Sequence, residues 1–405
     1  MAEFGFTEEQ EMFRNEMRRL VKKELAPLAK EKRSGEEFMK AQELLKLSVL
    51  NFPERIGGWS LDFVHTGILA EELYSGGSGL GTLCFERTFV GNDLKKLPEE
   101  VQDEVGPIVS MLPATIRHGY TEADSGNEQA AIRTRAVRQG DYYIINGEKQ
   151  PATGCGGAPY SVITAVTDPA AGTKGISQFL IPRDTPGVSA SILPFVSEIF
   201  YYGRQISGEA APETDPVAIC GCVLSLDDVK IPAKYRLGEE GEGQDFLQHQ
   251  HNVISVGILA MQAISFAKLT LNEMIEYTGQ RVHFGQPIIQ FQGVGFQLAE
   301  HYTRLEAARL LLYRALWLMD QGRANTKDIA MARVFCTEVG EKALLDMLRI
   351  GGYAHWSTET QVPQRLLNVI GNAITDGPAQ MQKLRILGDI APDAIPPNMM
   401  GRLVV

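Results

Sequence analysis

Asp376 stands immediately before Gly377 in a chain of 405 residues, and a carboxylate so placed has two readings. Asp-Gly is a common turn pair whose acid is solvated, or the acid is a proton acceptor in a site. Glu86 and Arg87 form a second charged pair; in a helix such a pair is ordinarily a solvated face. Arg281 follows a helical stretch, where a guanidinium caps carbonyls or makes an exposed ion pair worth under about 1 kcal/mol. Gly351-Gly352 lets a backbone approach a ligand closely. Cys84, Cys155, Cys220, Cys222 and Cys336 are odd in number, scattered, and lack nearby histidines at zinc-finger spacing. They read as reduced thiols, and no metal site is expected.

Groups of this kind need a rigid frame, and 44% hydrophobic residues over this length supply more than one core. A formal charge of −11 argues against nucleic acid or an anionic membrane as partner, because phosphate binding needs a basic footprint. The N-terminus has no basic segment leading into an apolar one, and no uninterrupted apolar run reaches about 18 residues. A cytoplasmic, non-membrane protein is expected.

Residues 1–117 read as a helical domain. Thr7-Glu8-Glu9-Gln10 is a capping box, and Phe13, Met17, Leu20, Val21 and Leu25 recur at helical spacing until Pro27, which ends the pattern. Pro53 to Trp59 is a turn, and a second helix runs from about Asp62 to Tyr74. Residues 118–235 change character. Short β-branched or aromatic runs (Tyr142–Ile145, Val162–Val166, Ile176–Ile181, Val217–Ile219, Val223–Leu226) alternate with Gly, Pro, Asp and Asn turns, which predicts a β domain rather than a parallel α/β sheet. Residues 236–405 return to helical period. One stripe is Leu298, Tyr302, Leu305, Ala308 and Leu312; another is Ala332, Cys336, Val339, Ala343 and Met347. Both predict buried bundle faces.

Several segments, in order, resemble the acyl-CoA dehydrogenase superfamily. Tyr120-Thr121-Glu122-Ala123-Asp124-Ser125-Gly126-Asn127, then Ala131-Ile132-Arg133-Thr134, is similar to its first signature. Asn146-Gly147-Glu148-Lys149 with Thr153-Gly154, Leu226 to Pro232, and Gly238 to Gly243 follow at the usual distances. Arg281-Val282-His283-Phe284-Gly285-Gln286-Pro287-Ile288 with Phe291-Gln292, Gly351-Gly352-Tyr353 and Asp376-Gly377 complete the set. The resemblance covers nearly the whole chain.

It implies an α+β multidomain fold: an N-terminal helical domain, a middle β-barrel-like domain and a C-terminal four-helix bundle. It also implies a flavoenzyme. α,β-Dehydrogenation removes an α-proton to a base while a hydride leaves the β-carbon, so a carboxylate and FAD would face each other across an acyl thioester. On this resemblance Asp376 is the base and Gly377 lies against substrate. Tyr120 and Thr121 bond the flavin pyrimidine edge, Thr153 lies near N5, and Asn127 and Gln380 belong to the cofactor set. Arg281 reaches the pyrophosphate of a neighbouring subunit, with Phe284 on the adenine, Gln292 on the dinucleotide and Gly351-Gly352 beside phosphate. Contacts between chains imply a homotetramer; the partners implied are an acyl-CoA and an electron-transfer flavoprotein.

Departures from the family pattern bear on the substrate. The base is usually glutamate, and aspartate shortens the reach by one C–C bond, about 1.5 Å. Pro151 stands where a Trp usually shields the flavin, which opens room for a cyclic or aromatic acyl group. Gln248 to Asn252 lacks the usual charged anchor for pantetheine, and Gln205 to Asp215, after Gly203-Arg204, resembles an insertion. Arg87 falls in a helix that lines the acyl pocket in the family, where it would bind the terminal carboxylate of a dicarboxyl substrate. Two alternatives stand beside dehydrogenation: a nitroalkane-oxidase-like enzyme, since that relative uses aspartate at this position and no CoA, and a flavin-binding partner subunit of a hetero-oligomer.

Overall fold

The computed structural model describes residues 5–31, 34–59, 61–111, 116–193, 221–357 and 359–395. The expected strand Val217–Ile219 and the insertion after Gly203-Arg204 lie outside them. By packing, the chain divides into two units, one comprising Met1–Ala41, Leu61–Phe85 and Asn252–Ile390, the other Gln42–Ser60, Glu86–His251 and Ala391–Val405.

The helices in the first unit begin with α1 (Glu8–Leu20). Thr7 caps it, its hydroxyl accepting from the Gln10 amide at 3.2 Å while Gln10 returns a bond to the Thr7 amide at 3.1 Å. Pro27 does not end this helix. The chain passes through a π-helical turn, Val21–Leu25, into α2 (Ala26–Lys30), where Pro27 occupies the first turn and its missing N–H costs nothing. After α3 (Ser34–Leu45), α4 (Phe63–Ser75) starts where Asp62 accepts from the His65 amide.

The rest of the unit is built on α8 (Met261–Gln280), α9 (Gln292–Asp320), α10 (Thr326–Gly351), α11 (Val362–Ile374) and α12 (Ala379–Ile390). The α10 helix packs against the other four. Its expected stripe, Ala332 through Met347, is buried at every position. The α9 stripe holds except at Tyr302, which is 52% exposed. Steps of three and four from Leu298 to Leu305 pass through either 301 or 302, and the residue that is buried is His301, whose ring bonds Asp346 at 3.1 Å.

The second unit contains most of α5 (Gly81–Leu94), α6 (Glu99–Met111) and α7 (Gly243–Val253). Its strands are β1 (Ile116–Gly119), β2 (Arg135–Gln139), β3 (Tyr142–Lys149), β4 (Tyr160–Val166), β5 (Ile176–Pro182), β6 (Val188–Leu193), β7 (Gly221–Pro232) and β8 (Arg236–Leu237). They form one mixed sheet in the order β6-β7-β3-β2-β4-β5-β8, with β1 parallel to β4. β4 is buried along its whole length, which is why its sequence shows no strict alternation of apolar and polar residues. The helical run Gly243–Gln280 is long and apolar enough to cross a membrane, yet 89% of its apolar window is buried inside the protein, as in a core helix.

Candidate functional site

In the sheet unit, β1 delivers Tyr120 and Thr121, both half-buried, to the end of a strand. Lys149 Nζ donates to the Tyr120 carbonyl at 3.2 Å and to Glu122 Oε1 at 2.8 Å, and the Gln150 amide donates to the Thr121 carbonyl at 2.8 Å. Glu122 also accepts from the Thr134 hydroxyl at 2.6 Å and the Arg133 amide at 2.7 Å. Burial opposes ionisation of Glu122, but the Lys149 charge and these bonds more than offset it and hold its pKa below the ordinary value. Burial pulls Lys149 down to about 8. Neither Glu122 nor Lys149 was among the expected site residues, although both lie inside the two motifs. Their spacing in sequence carries no sign of the ion pair.

A second network holds the Tyr120 side chain. Its hydroxyl donates to Gln250 Oε1 at 2.8 Å, which also accepts from Gln178 Nε2 at 3.2 Å. Gln250 Nε2 donates to Asp93 Oδ1, and Asp93 Oδ2 lies 2.6 Å from His118 Nε2. His118 is in ring contact with both Phe89 and Tyr120. Because the phenol donates its proton to Gln250, Tyr120 can donate to a flavin edge only through its main chain.

Thr121 uses only its carbonyl within the described chain, so its amide and hydroxyl remain as donors, together with the exposed Asn127 carboxamide and Thr153 hydroxyl. A heterocyclic edge rich in carbonyls and ring nitrogens suits such a donor set, and the residues present fit a flavin. Thr153 follows the cis Gln150–Pro151 bond.

Arg87 is not on a solvated face. It is 0% exposed, and Glu86 is 2% exposed. Glu86 faces Arg117 Nη1 at 3.0 Å, and the Arg87 guanidinium lies 5.8 Å from the Phe52 ring centroid. A cation is buried at this cost only with compensation from its surroundings or a ligand.

In the helical unit Asp376 occupies the turn between α11 and α12 at φ 46, followed by Gly377 at φ 79. Consecutive left-handed residues suit Asp and Gly, and a Cβ on Gly377 would meet Gln382 Nε2 at 2.8 Å. Gln382, itself fully buried, donates to the Gly377 carbonyl at 2.8 Å. Asp376 is half-buried and Gln380 exposed. Arg281 terminates α8, and its Nε donates to His283 Nε2 at 3.2 Å rather than to a helix carbonyl. It leads into a small hairpin, β9 (Val282–His283) with β10 (Gln286–Pro287), whose turn holds Phe284 at φ 50 and 97% exposed. Gln292 is exposed at the start of α9. Gly351 is packed so closely that a Cβ would come within 2.3 Å of the His355 ring, whereas Gly352 is open at φ 59.

Comparison with known proteins places the chain in a family. The N-terminal, middle and C-terminal domain models of acyl-CoA dehydrogenase match residues 7–104, 118–194 and 254–390. The chain is 30% identical over 387 residues to an acyl-CoA dehydrogenase of Bacillus subtilis, covering 94% of this chain and 97% of the relative. It is 29% identical over 397 residues to the caffeyl-CoA reductase-Etf complex subunit CarC of Acetobacterium woodii, covering 95% and 98%. The glutaryl-coenzyme A dehydrogenase complex with glutaryl-CoA superposes with a TM-score of 0.81 at 28% identity, covering 96% of this chain and 97% of that one.

Proposed function

The chain belongs to the acyl-CoA dehydrogenase family of FAD-dependent oxidoreductases, and within it we propose that it desaturates an acyl-CoA thioester with Asp376 as base. Bound FAD supplies the acceptor for the hydride that leaves the β-carbon. Asp376 takes the α-proton, and the electrons of that C–H bond become the new double bond. Tyr120 through its main chain, with Thr121, Asn127 and Thr153, would hold the flavin. Arg281, Phe284, Gln292, Gly351 and Gly352 of a neighbouring copy, with Gln380, would complete its binding.

The observation that carries this reading is the Asp376-Gly377 turn, a half-buried carboxylate held in left-handed backbone by a fully buried Gln382. A solvated turn acid needs no such support. The 0% exposed Arg87 favours a carboxylated acyl group, as in the glutaryl-CoA of the solved complex, and the absence of a large aromatic at Pro151 favours a broad one. The nearly bare rings of Phe284 (97%) and Tyr353 (91%) suit burial against further copies in a homotetramer. An electron-transfer flavoprotein is the proposed acceptor, by analogy with the Etf complex of the relative.

Anaerobic titration of the FAD-loaded protein with butyryl-CoA, glutaryl-CoA and cyclohexanecarboxyl-CoA tests the proposal. Bleaching of the flavin by at least one, and its loss in Asp376→Asn with the protein still yellow, is the expected outcome. The shorter base favours one other reading, a nitroalkane-oxidase-like reaction. Bleaching by nitroethane and by none of the thioesters would replace dehydrogenation with it.

A further inference from the structure

Arg333 belongs to α10 and is 1% exposed, an expensive place for a guanidinium. Its Nη2 donates to the carbonyls of Asn372 and Thr375, the latter at 3.1 Å. These two residues belong to the last turn and cap of α11, where helix carbonyls lack intrahelical partners. The next residue is Asp376.

We infer that Arg333 is a positioning residue for Asp376, fixing the backbone from which the carboxylate projects and supplying its counter-charge. The inference rests on the reading of Asp376 as the base. A plain helix cap does not account for a buried cation. The Thr375 amide already bonds the Gly371 carbonyl at 3.1 Å, and water can satisfy free carbonyls at a helix end. Two main-chain carbonyls also leave Arg333 incompletely served, for its Nε is buried without a hydrogen-bond partner among the described residues. Burial draws the Arg333 pKa down to about 10, with the Asp376 charge foremost in opposing that shift.

The other side of the turn is held as firmly. Gln382 secures the Gly377 carbonyl, and Arg385 Nη1 donates to Gln382 Oε1 at 3.3 Å. Among the described residues, the charged groups whose bonds reach this turn are Arg333 of α10 and, through Gln382, Arg385 of α12, and the Cys336 thiol of α10 lies near Arg333. This two-sided grip has a reason in the shorter side chain. Aspartate has one fewer torsion and about 1.5 Å less reach than glutamate, so the backbone itself must place the carboxylate. The nearby cation keeps the acid ionised as a thioester enters and water leaves.

The test compares Arg333→Met, Arg333→Lys and Asp376→Asn in the FAD-loaded protein, using whichever thioester of the panel bleaches the flavin fastest. Three quantities are read: the flavin reduction rate against pH, thioester affinity by calorimetry, and deuterium exchange at the α-carbon, which reports proton removal directly. Arg333→Met is expected to slow exchange and reduction about thirtyfold or more while thioester affinity changes less than about threefold. Its acid limb should move to higher pH, since the charge favouring the ionised acid is gone. Arg333→Lys should keep the acid limb near its original pH and recover part of the rate; it also carries the test if the methionine variant does not fold.

Rates and acid limbs in Arg333→Met and Arg333→Lys matching the unaltered protein would overturn the inference. So would equal slowing in both variants with unmoved acid limbs, the mark of a purely structural role. Undiminished exchange in Asp376→Asn would instead remove the base reading itself, whatever the Arg333 variants do.

Discussion

Lys149 Nζ lies 2.8 Å from Glu122 Oε1, with the two side chains 0% and 9% exposed. The pair joins the end of β3 to the segment carrying Tyr120 and Thr121, because the same ammonium also bonds the Tyr120 carbonyl. Removing one member of a buried pair strands the other charge, at a cost of about 3 to 5 kcal/mol. Lys149→Met is therefore expected to lower the melting temperature sharply and weaken FAD binding. Lys149→Met with Glu122→Gln together should recover much of the stability. A double variant no more stable than the single one would mean that the stranded charge is not the cause.

Glu37 offers a pH-dependent test of the helical unit. Burial raises its pKa to about 7 from an ordinary 4.5. A carboxyl with a raised folded-state pKa binds its proton more tightly in the folded state. Its contribution is thus fully present below pH 4.5 and is lost as pH rises through about 7. Glu37→Gln, which keeps the neutral shape, should melt like the original protein at acid pH and several degrees higher near pH 8. Equal melting temperatures at both pH values would show that Glu37 ionises without penalty.

The helical stripe of α10, the capping box at Thr7 and the helix beginning near Asp62 were legible in the sequence because each depends on neighbours within a few residues. The main strands were legible where side chains are β-branched or aromatic. β1, with Arg117 and His118 among its four residues, carried no such signal. Pro27 misled because a local rule cannot foresee a π-helical turn that restarts the helix before it. Tyr302 shows the same limit, since an apolar tally prefers Tyr to His, whereas the buried position is held by His301 through its bond to Asp346, 45 residues away in sequence. Among site residues, Asp376 and Thr121 stood out through their motifs. Asp93, His118, Gln178 and Gln250 did not, because a hydrogen-bond network assembled from four distant segments leaves no periodicity. Arg87 was ambiguous for a similar reason: a charged residue buried at 0% exposure looks, in sequence, like any other helix cation.

Arg87 now supports a sharper expectation about the acyl group. A guanidinium buried inside α5 and lying against the Phe52 ring suits a substrate carboxylate, whose loss would cost a charge-assisted hydrogen bond of about 1.5 to 3 kcal/mol. Arg87→Met should raise the KM for glutaryl-CoA about tenfold or more and change that for butyryl-CoA much less. The methionine fills most of the side-chain volume, so the comparison separates charge from packing. Equal effects on the two thioesters would remove Arg87 from substrate recognition and leave it a structural role.

The Asp93, His118, Gln250 and Tyr120 network gives the last expectation. Gln250 is 1% exposed and its amide can satisfy both neighbours in one orientation only: the oxygen toward the Tyr120 hydroxyl, the nitrogen toward Asp93. The negative charge of Asp93 selects that orientation, and His118 holds Asp93 from its other oxygen. Gln250→Leu keeps the volume but breaks its bonds to Tyr120, Gln178 and Asp93, so the Tyr120 segment loses its fixed side chain, Gln178 an acceptor and the Asp93 carboxylate a donor. FAD affinity of the deflavinated protein, measured by fluorescence quenching, is expected to fall about tenfold, which corresponds to roughly 1.4 kcal/mol. Tyr120→Phe removes one bond of the same network without exposing a charge and should weaken FAD binding less. If Tyr120→Phe is the more damaging of the two, the phenol acts on the flavin directly rather than through its attachment to Gln250.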